Sequence, residues 1–130
     1  MRTPYVAGNW KMNLDRRAAR DLAVAVREHA ASGVDVGLFP AMLHLDEVTR
    51  ATAGSHVKVG GQNCSDELEG AFTGEVSARM LKDIGATVAL IGHSERRHVY
   101  GESDEFIARK VRRALEDGLE VMLCVGETIE

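Results

Sequence analysis

Short apolar segments alternate with stretches of helical periodicity along the whole chain. The apolar segments are rich in Val, Ile, Leu and Phe, and they begin on average about 29 residues apart. They predict five strands, at 5–10, 35–39, 57–62, 87–91 and 120–125. Segments 88–91 and 121–125 scarcely alternate with polar residues, which is typical of strands buried on both faces of a parallel sheet.

The linkers between these segments carry a different period. Apolar positions three and four residues apart predict a helix in the first linker, with Asn13 as its N-cap and Gly33 just past its end. The fourth linker repeats the pattern between Ser103 and Gly118. Weaker patterns predict shorter helices around 45–48 and over 77–84.

Strands and helices in this order predict an α/β fold. Right-handed crossovers would produce one sheet of five parallel strands with four outer helices. The length suits a single domain over 1–130, and no internal linker or repeat divides it.

Composition and charge exclude several classes of protein. The chain is 45% hydrophobic and 28% charged, as in an ordinary globular domain, and its net charge of −4 favours no nucleic-acid partner. No apolar run reaches the roughly 18 residues that cross a bilayer, and the N-terminus lacks a signal peptide, so we expect a cytoplasmic protein. The sequence contains no G-x-G-x-x-G, P-loop, H-E-x-x-H or C-x-x-C motif, so we expect neither a cofactor nor a metal.

Polar residues follow four of the predicted strands. The carboxyl ends of parallel strands meet at one edge of a sheet, which is where α/β folds place their sites. The alternative is that these residues simply mark where loops begin. The residues are Asn9, Lys11, Gln62, Asn63, His93, Ser94, Glu95, Gly126 and Glu127.

His93 is the most informative of them. It directly precedes a predicted helical turn over 94–97. Unpaired N–H groups and the positive end of the helix dipole disfavour imidazolium there, so a neutral ring could donate a hydrogen bond to a substrate oxygen and carry a proton. The alternative is a purely structural histidine.

Three other features of the sequence bear on function or structure. Lys11 could hold an anionic ligand or could simply be solvated. Phe72 lies in a long glycine-punctuated loop, 63–77, and is a candidate exposed contact. The charged residues between Glu95 and Glu102 are expected to form ion pairs.

Five ordered motifs resemble those of triosephosphate isomerase. They are A-G-N-W-K-M-N at 7–13, G-Q-N at 61–63, G-A-F-T-G-E at 70–75, I-G-H-S-E-R-R at 91–97 and C-V-G-E at 124–127. Gly61 stands where Ala is common, and Ala41 where a second Pro is common. The resemblance implies part of a (β/α)₈ TIM barrel and a reaction without cofactor between dihydroxyacetone phosphate and glyceraldehyde 3-phosphate.

The resemblance also implies roles for individual residues. Lys11 would anchor the substrate electrostatically with Asn9 beside it, and His93 would polarise the carbonyl and move protons on the enediolate. The family is a well-known example of catalysis by a neutral histidine. Ser94 and Glu95 would support the site. The loop around Phe72 and Thr73 resembles one that inserts into a neighbouring subunit.

Eight strand–helix units of about 29 residues would need roughly 230 residues. The present sequence has 130 residues and supplies only the first five strands. The family's glutamate base, lid and phosphate loops lie on later strands, and Glu127 matches the end of strand five rather than that base. The sequence therefore predicts a half-barrel that is catalytic only with a complementary C-terminal half, or a non-catalytic folding and assembly unit. A phosphate-binding barrel enzyme of another family is a weaker alternative.

Strands 5–10 and 120–125 would form apolar sheet edges. We therefore expect the chain to self-associate as a homo-oligomer, or to pair with the complementary half.

Overall fold

A computed structural model describes residues 1–129 of the chain. The strands are β1 Tyr5–Asn9, β2 Asp35–Phe39, β3 Val57–Gly61, β4 Val88–Ile91 and β5 Glu120–Leu123. The helices are α1 Arg16–His29, α2 Leu45–Thr52, α3 Ala78–Asp83, α4 Ser94–His98 and α5 Asp104–Glu116, with a 3₁₀ turn at Met42–His44.

All five strands are parallel and follow one another in chain order across a curled sheet. Every crossover therefore advances by one strand, which is the winding of a barrel rather than of an open doubly wound sheet. The prediction of a partial TIM barrel with five parallel strands is confirmed.

The helices differ from the predicted set in two details. The fourth connection carries two helices rather than one, because the predicted turn after His93 forms the separate helix α4. The predicted N-cap of α1 was wrong. Asp15 caps this helix by accepting from the Ala18 N–H at 2.8 Å, whereas Asn13 donates to the carbonyl of Trp10.

The two faces of the sheet bury different side chains. The outer face packs against the helices through a large apolar cluster that includes Leu38, Val59 and Ile91. The concave inner face carries a smaller cluster built on Phe39 and Leu90. Alternate residues of a strand point to opposite faces, so a strand between two packed layers contains little but apolar residues.

This burial holds for β4 but not for β5. All four residues of β4 are buried, as the unbroken apolar run predicted. The equally apolar run at β5 is only partly buried: Val121 and Met122 are half-buried, Leu123 is exposed, and Val125 just beyond the strand is 82% exposed. The reason is position: β1 and β5 are the two edges of the sheet among residues 1–129, so each has only one neighbouring strand.

No helix within residues 1–129 is long and apolar enough to span a membrane.

Candidate functional site

A cleft of about 300 Å³ lies at the carboxyl ends of β1, β3 and β4. The parallel order brings these ends together, although the sequence separates them by up to about 80 residues. Its polar lining includes Asn9, Lys11, Gln62, Asn63, His93 and Glu95.

His93 caps the N-terminus of α4, the position expected from its place before the turn. Its Nδ1 accepts a hydrogen bond from the Glu95 N–H at 3.1 Å. A ring nitrogen that accepts a hydrogen bond carries no proton, so this contact assigns the neutral tautomer with its proton on Nε2. The imidazole borders the cleft and is 23% exposed, so its Nε2–H can serve as a donor there.

Lys11 occupies a backbone conformation that L-residues seldom adopt, with φ at +55°. Two side chains hold it there. The Lys11 N–H donates to Oδ1 of Asn9 at 2.9 Å, and its carbonyl accepts from Nε2 of Gln62 at 2.8 Å. Such backbone strain persists only where surrounding contacts fix it, and it is concentrated at functional sites.

Glu95 joins Lys11 to His93. The Lys11 ammonium pairs with Oε1 of Glu95 at 2.8 Å, and Oε2 lies 3.5 Å from Nδ1 of His93. This Nδ1 already accepts the Glu95 N–H and therefore carries no proton. Its 3.5 Å contact with the Glu95 carboxylate is then not an ion pair. The hydrogen bond from Lys11 holds the pKa of Glu95 below its usual 4.5.

We expect Lys11→Met to raise the pKa of Glu95 towards its ordinary value. The stabilising pair in the parent chain is present above pH 4.5 and is lost as the pH falls through the lowered pKa of the folded state. An NMR titration of the Glu95 side-chain carbonyl measures the shift. Lys82→Met is the matched control, since among residues 1–129 the Lys82 ammonium hydrogen-bonds only to the carbonyl of Asp117. A Glu95 pKa unchanged by Lys11→Met would contradict the assignment.

The cleft includes only part of the predicted site. Asn9, Lys11, His93 and Glu95 line it together, whereas Ser94 faces a second cleft, between α4 and the end of β5. Phe72 is exposed at the tip of its loop, as predicted, and the neighbouring Thr73 is exposed as well, but neither residue lines the cleft.

Sequence reasoning missed the role of Gln62. Its amide donates both to Lys11 and to the carbonyl of Phe39 at 2.9 Å, so it links the ends of the first three strands. The available signals were its place at the end of β3 and in the G-Q-N motif at 61–63, and neither indicates this contact.

A buried ion network behind the cleft was also missed in part. Oε2 of Glu102 accepts from Nε of Arg96 at 2.7 Å and from Nζ of Lys110 at 2.8 Å. Lys110 also donates to Oδ1 of Asn63 at 3.0 Å and is fully buried. The signal was available: Lys110 falls on the apolar face of α5 between Ile107 and Ala114, where a lysine needs a partner.

Arg97 completes the predicted charge cluster but pairs outside it. Its guanidinium donates to the carbonyls of Gly92 at 2.7 Å and Cys124 at 3.2 Å, and it pairs with Asp104 at 2.6 Å. It therefore ties the end of β4 to the segment after β5.

The two cysteines do not provide a nucleophile. Both are free thiols, and burial raises the pKa of Cys64 to about 11 and also raises that of Cys124. At neutral pH both remain protonated. Within residues 1–129, no group of three or more potential metal ligands is assembled.

Comparison with known proteins gives a consistent result. The family model of triosephosphate isomerase matches residues 4–130. Curated triosephosphate isomerases of Salmonella paratyphi B and Salmonella dublin are each 50% identical to the chain, and that of Salmonella newport is 49% identical. Each match covers 98% of this chain and 51% of the relative, so the chain spans about half the length of these relatives.

Proposed function

Because the chain belongs to the triosephosphate isomerase family, we propose that it contributes the first five strands and part of the active site of a triosephosphate isomerase. The observation that carries this proposal is the His93 imidazole, which caps α4 by accepting the Glu95 N–H at Nδ1 and lies in one cleft with Lys11 and Glu95. The reaction interconverts dihydroxyacetone phosphate and glyceraldehyde 3-phosphate through an enediolate.

Each side chain has a chemical task in this proposal. The Nε2–H of His93 donates to the substrate carbonyl, stabilises the negative charge that develops on oxygen, and moves a proton between the two enediolate oxygens. The Lys11 ammonium attracts the anionic substrate, and Asn9 fixes the Lys11 backbone. Glu95 and Ser94 support the helix turn that carries the histidine.

The proposal assigns the remaining groups to a complementary half. A carboxylate base must remove the proton next to the carbonyl, and the family's glutamate base lies on a strand beyond β5. Lid and phosphate loops belong to that half as well. Glu127 is not the base, because it follows β5 at the position of the family's fifth-strand motif.

A second candidate function is a non-catalytic folding and assembly unit. The exposed edges favour it: Val6 of β1 and Leu123 of β5 present apolar side chains outward at the edge strands. Edges of this kind recruit further strands.

We propose a homo-oligomer or a pair with the complementary half as the assembled form. Phe72, which is 44% exposed, and the neighbouring Thr73 are the proposed contacts with a neighbouring subunit. The cytoplasmic location stays a prediction.

The experiment measures turnover of glyceraldehyde 3-phosphate by the purified chain, alone and mixed with the C-terminal half of the Salmonella dublin relative. We expect little turnover by the chain alone and restored turnover in the mixture, with a particle mass that shows the two polypeptides bound. Binding without turnover would favour the assembly unit. Robust turnover by the chain alone would contradict the assignment of the base to another half.

A further inference from the structure

A second polar cluster lies far from the cleft, at the amino-terminal end of the strands on the concave face. Lys58 of β3 donates to both carboxylate oxygens of Glu120 on β5, at 3.2 and 3.1 Å. Its ammonium also lies 3.8 Å from Asp35 of β2 and 5.5 Å from the ring centroid of Tyr5 of β1. Four of the five strands thus contribute to one contact set.

These contacts skip strands. β3 and β5 both pair with β4 and not with each other, so in a sheet their backbones are roughly 10 Å apart. Lys58 and Glu120 meet on the inner side of the sheet, because its curl brings the inner side chains of alternate strands together.

Tyr5 of β1 likewise contacts Lys58 of β3 across the intervening strand β2. Its ring lies over Gly37 of β2 so closely that a Cβ at Gly37 would be 2.6 Å from the tyrosine oxygen. Only glycine leaves room for the ring to cross β2 and reach the ammonium of Lys58. The tyrosine hydroxyl is itself buried and has no hydrogen-bond partner among residues 1–129.

We propose that Tyr5, Lys58 and Glu120 form a brace across the concave face that ties the edge strand β5 to strands β1–β3. The brace stands apart from the catalytic cleft and does not depend on the isomerase function. Its consequence is local: within residues 1–129, β5 pairs only with β4, so a contact that bypasses β4 restrains the separation of β5 from the sheet.

The charges of the cluster support the brace at neutral pH. The hydrogen bond to Glu120 is the main cause of the raised pKa of Lys58, and burial is the main cause of the raised pKa of Tyr5. Both groups therefore stay protonated, facing the carboxylates of Glu120 and Asp35. From β4 the facing residue is Val88, which does not titrate.

The direction of the pH effect follows from these shifts. A raised lysine pKa in the folded state adds stability that is present below the ordinary 10.5 and is lost as the pH rises through the higher folded value. Ionisation of Tyr5 in the unfolded chain above pH 10 acts in the same sense, because the folded state resists it.

Amide hydrogen exchange at residues 122 and 124, followed by NMR, tests the brace in the chain as it is, because the N–H groups of alternate β5 residues face β4: those of Glu120 and Cys124 donate to Thr87 and Ile91 at 2.9 Å. Lys58→Met and Glu120→Gln should each speed exchange there by about threefold to fivefold, the effect expected from an ion pair near the surface. Exchange within α1 should not change. The double variant should be no faster than either single variant, because both remove the same contact.

Two controls sharpen this result. Lys58→Arg keeps the positive charge and a donor group that can pair with the Glu120 carboxylate, so exchange should stay within about twofold of the parent rate. Asp46→Asn breaks the 3.0 Å pair with Arg50 inside α2, changes the charge as Glu120→Gln does, and should leave residues 122 and 124 unaffected. Equal acceleration in α1 and β5, or additive effects in the double variant, would overturn the brace. Should Lys58→Met fail to fold, Glu120→Gln at the more exposed end of the pair decides the question.

Discussion

Replacing Glu102 by Gln is expected to lower the free energy of unfolding by about 3–5 kcal/mol, the cost of leaving a buried charge without its counter-charge. Lys110 is fully buried, and Glu102 is its ion-pair partner within residues 1–129. The glutamine keeps the shape of the side chain but not its charge. Among residues 1–129, the ammonium of Lys110 would then have only neutral partners: the amide oxygen of the new glutamine, the Asn63 oxygen and the Phe106 ring, whose centroid is 4.4 Å away.

The size of the effect depends on burial rather than on the number of ion pairs. The side chain of Glu102 is 3% exposed, so solvent cannot replace what the substitution removes. Glu116 provides the matched control on α5. It pairs with Arg113 at 3.0 Å but is half exposed, and Glu116→Gln should therefore change stability by less than about 1 kcal/mol.

Urea unfolding of the parent and the variants measures both effects. The double variant Glu102→Gln with Lys110→Met also removes the lysine ammonium that would otherwise be buried without a counter-charge. It should therefore recover part of the stability lost in the single variant. A Glu102→Gln variant as stable as Glu116→Gln would show that Lys110 is not held by this carboxylate.

The strands were predictable because their signal is local. Each lies in an apolar run bounded by polar or glycine residues, and in the structure the starts agree with those runs to within one residue. Burial was not predictable in the same way. The runs at β4 and β5 look alike, yet β4 lies between two strands and β5 lies at an edge, and this depends on the assembled sheet.

In the cleft, too, contacts between residues close in the sequence were predictable, whereas contacts between distant residues were not. The place of His93 before a helix could be predicted, since cap and helix are adjacent in the chain. The hydrogen bond from Gln62 to the carbonyl of Lys11 joins residues 51 positions apart, and no local sequence pattern predicts a contact at that distance along the chain. Asn13 and Asp15 illustrate a finer limit: both are good caps, and only the actual path of the loop decides between them.

Under the proposed function, substituting His93 by Gln is expected to lower kcat of the chain combined with its complementary half by about 100-fold or more, the usual effect of losing one donor to a developing oxyanion. Glutamine can place an amide N–H near the same oxygen, so the fold and substrate binding should change little. It cannot release and regain a proton, so transfer between the two enediolate oxygens should fail.

The measurement is the steady-state rate with glyceraldehyde 3-phosphate, using this chain combined with its complementary half. His98→Gln is the matched control, because His98 ends the same helix and is exposed. We expect kcat to fall only in the His93 variant, while KM stays within about threefold in both, because the substituted group acts on the transition state rather than on ground-state binding. An unchanged kcat in His93→Gln would refute the assigned role of the imidazole, which borders the cleft while its Nδ1 accepts the Glu95 N–H and so leaves Nε2–H as the ring's donor.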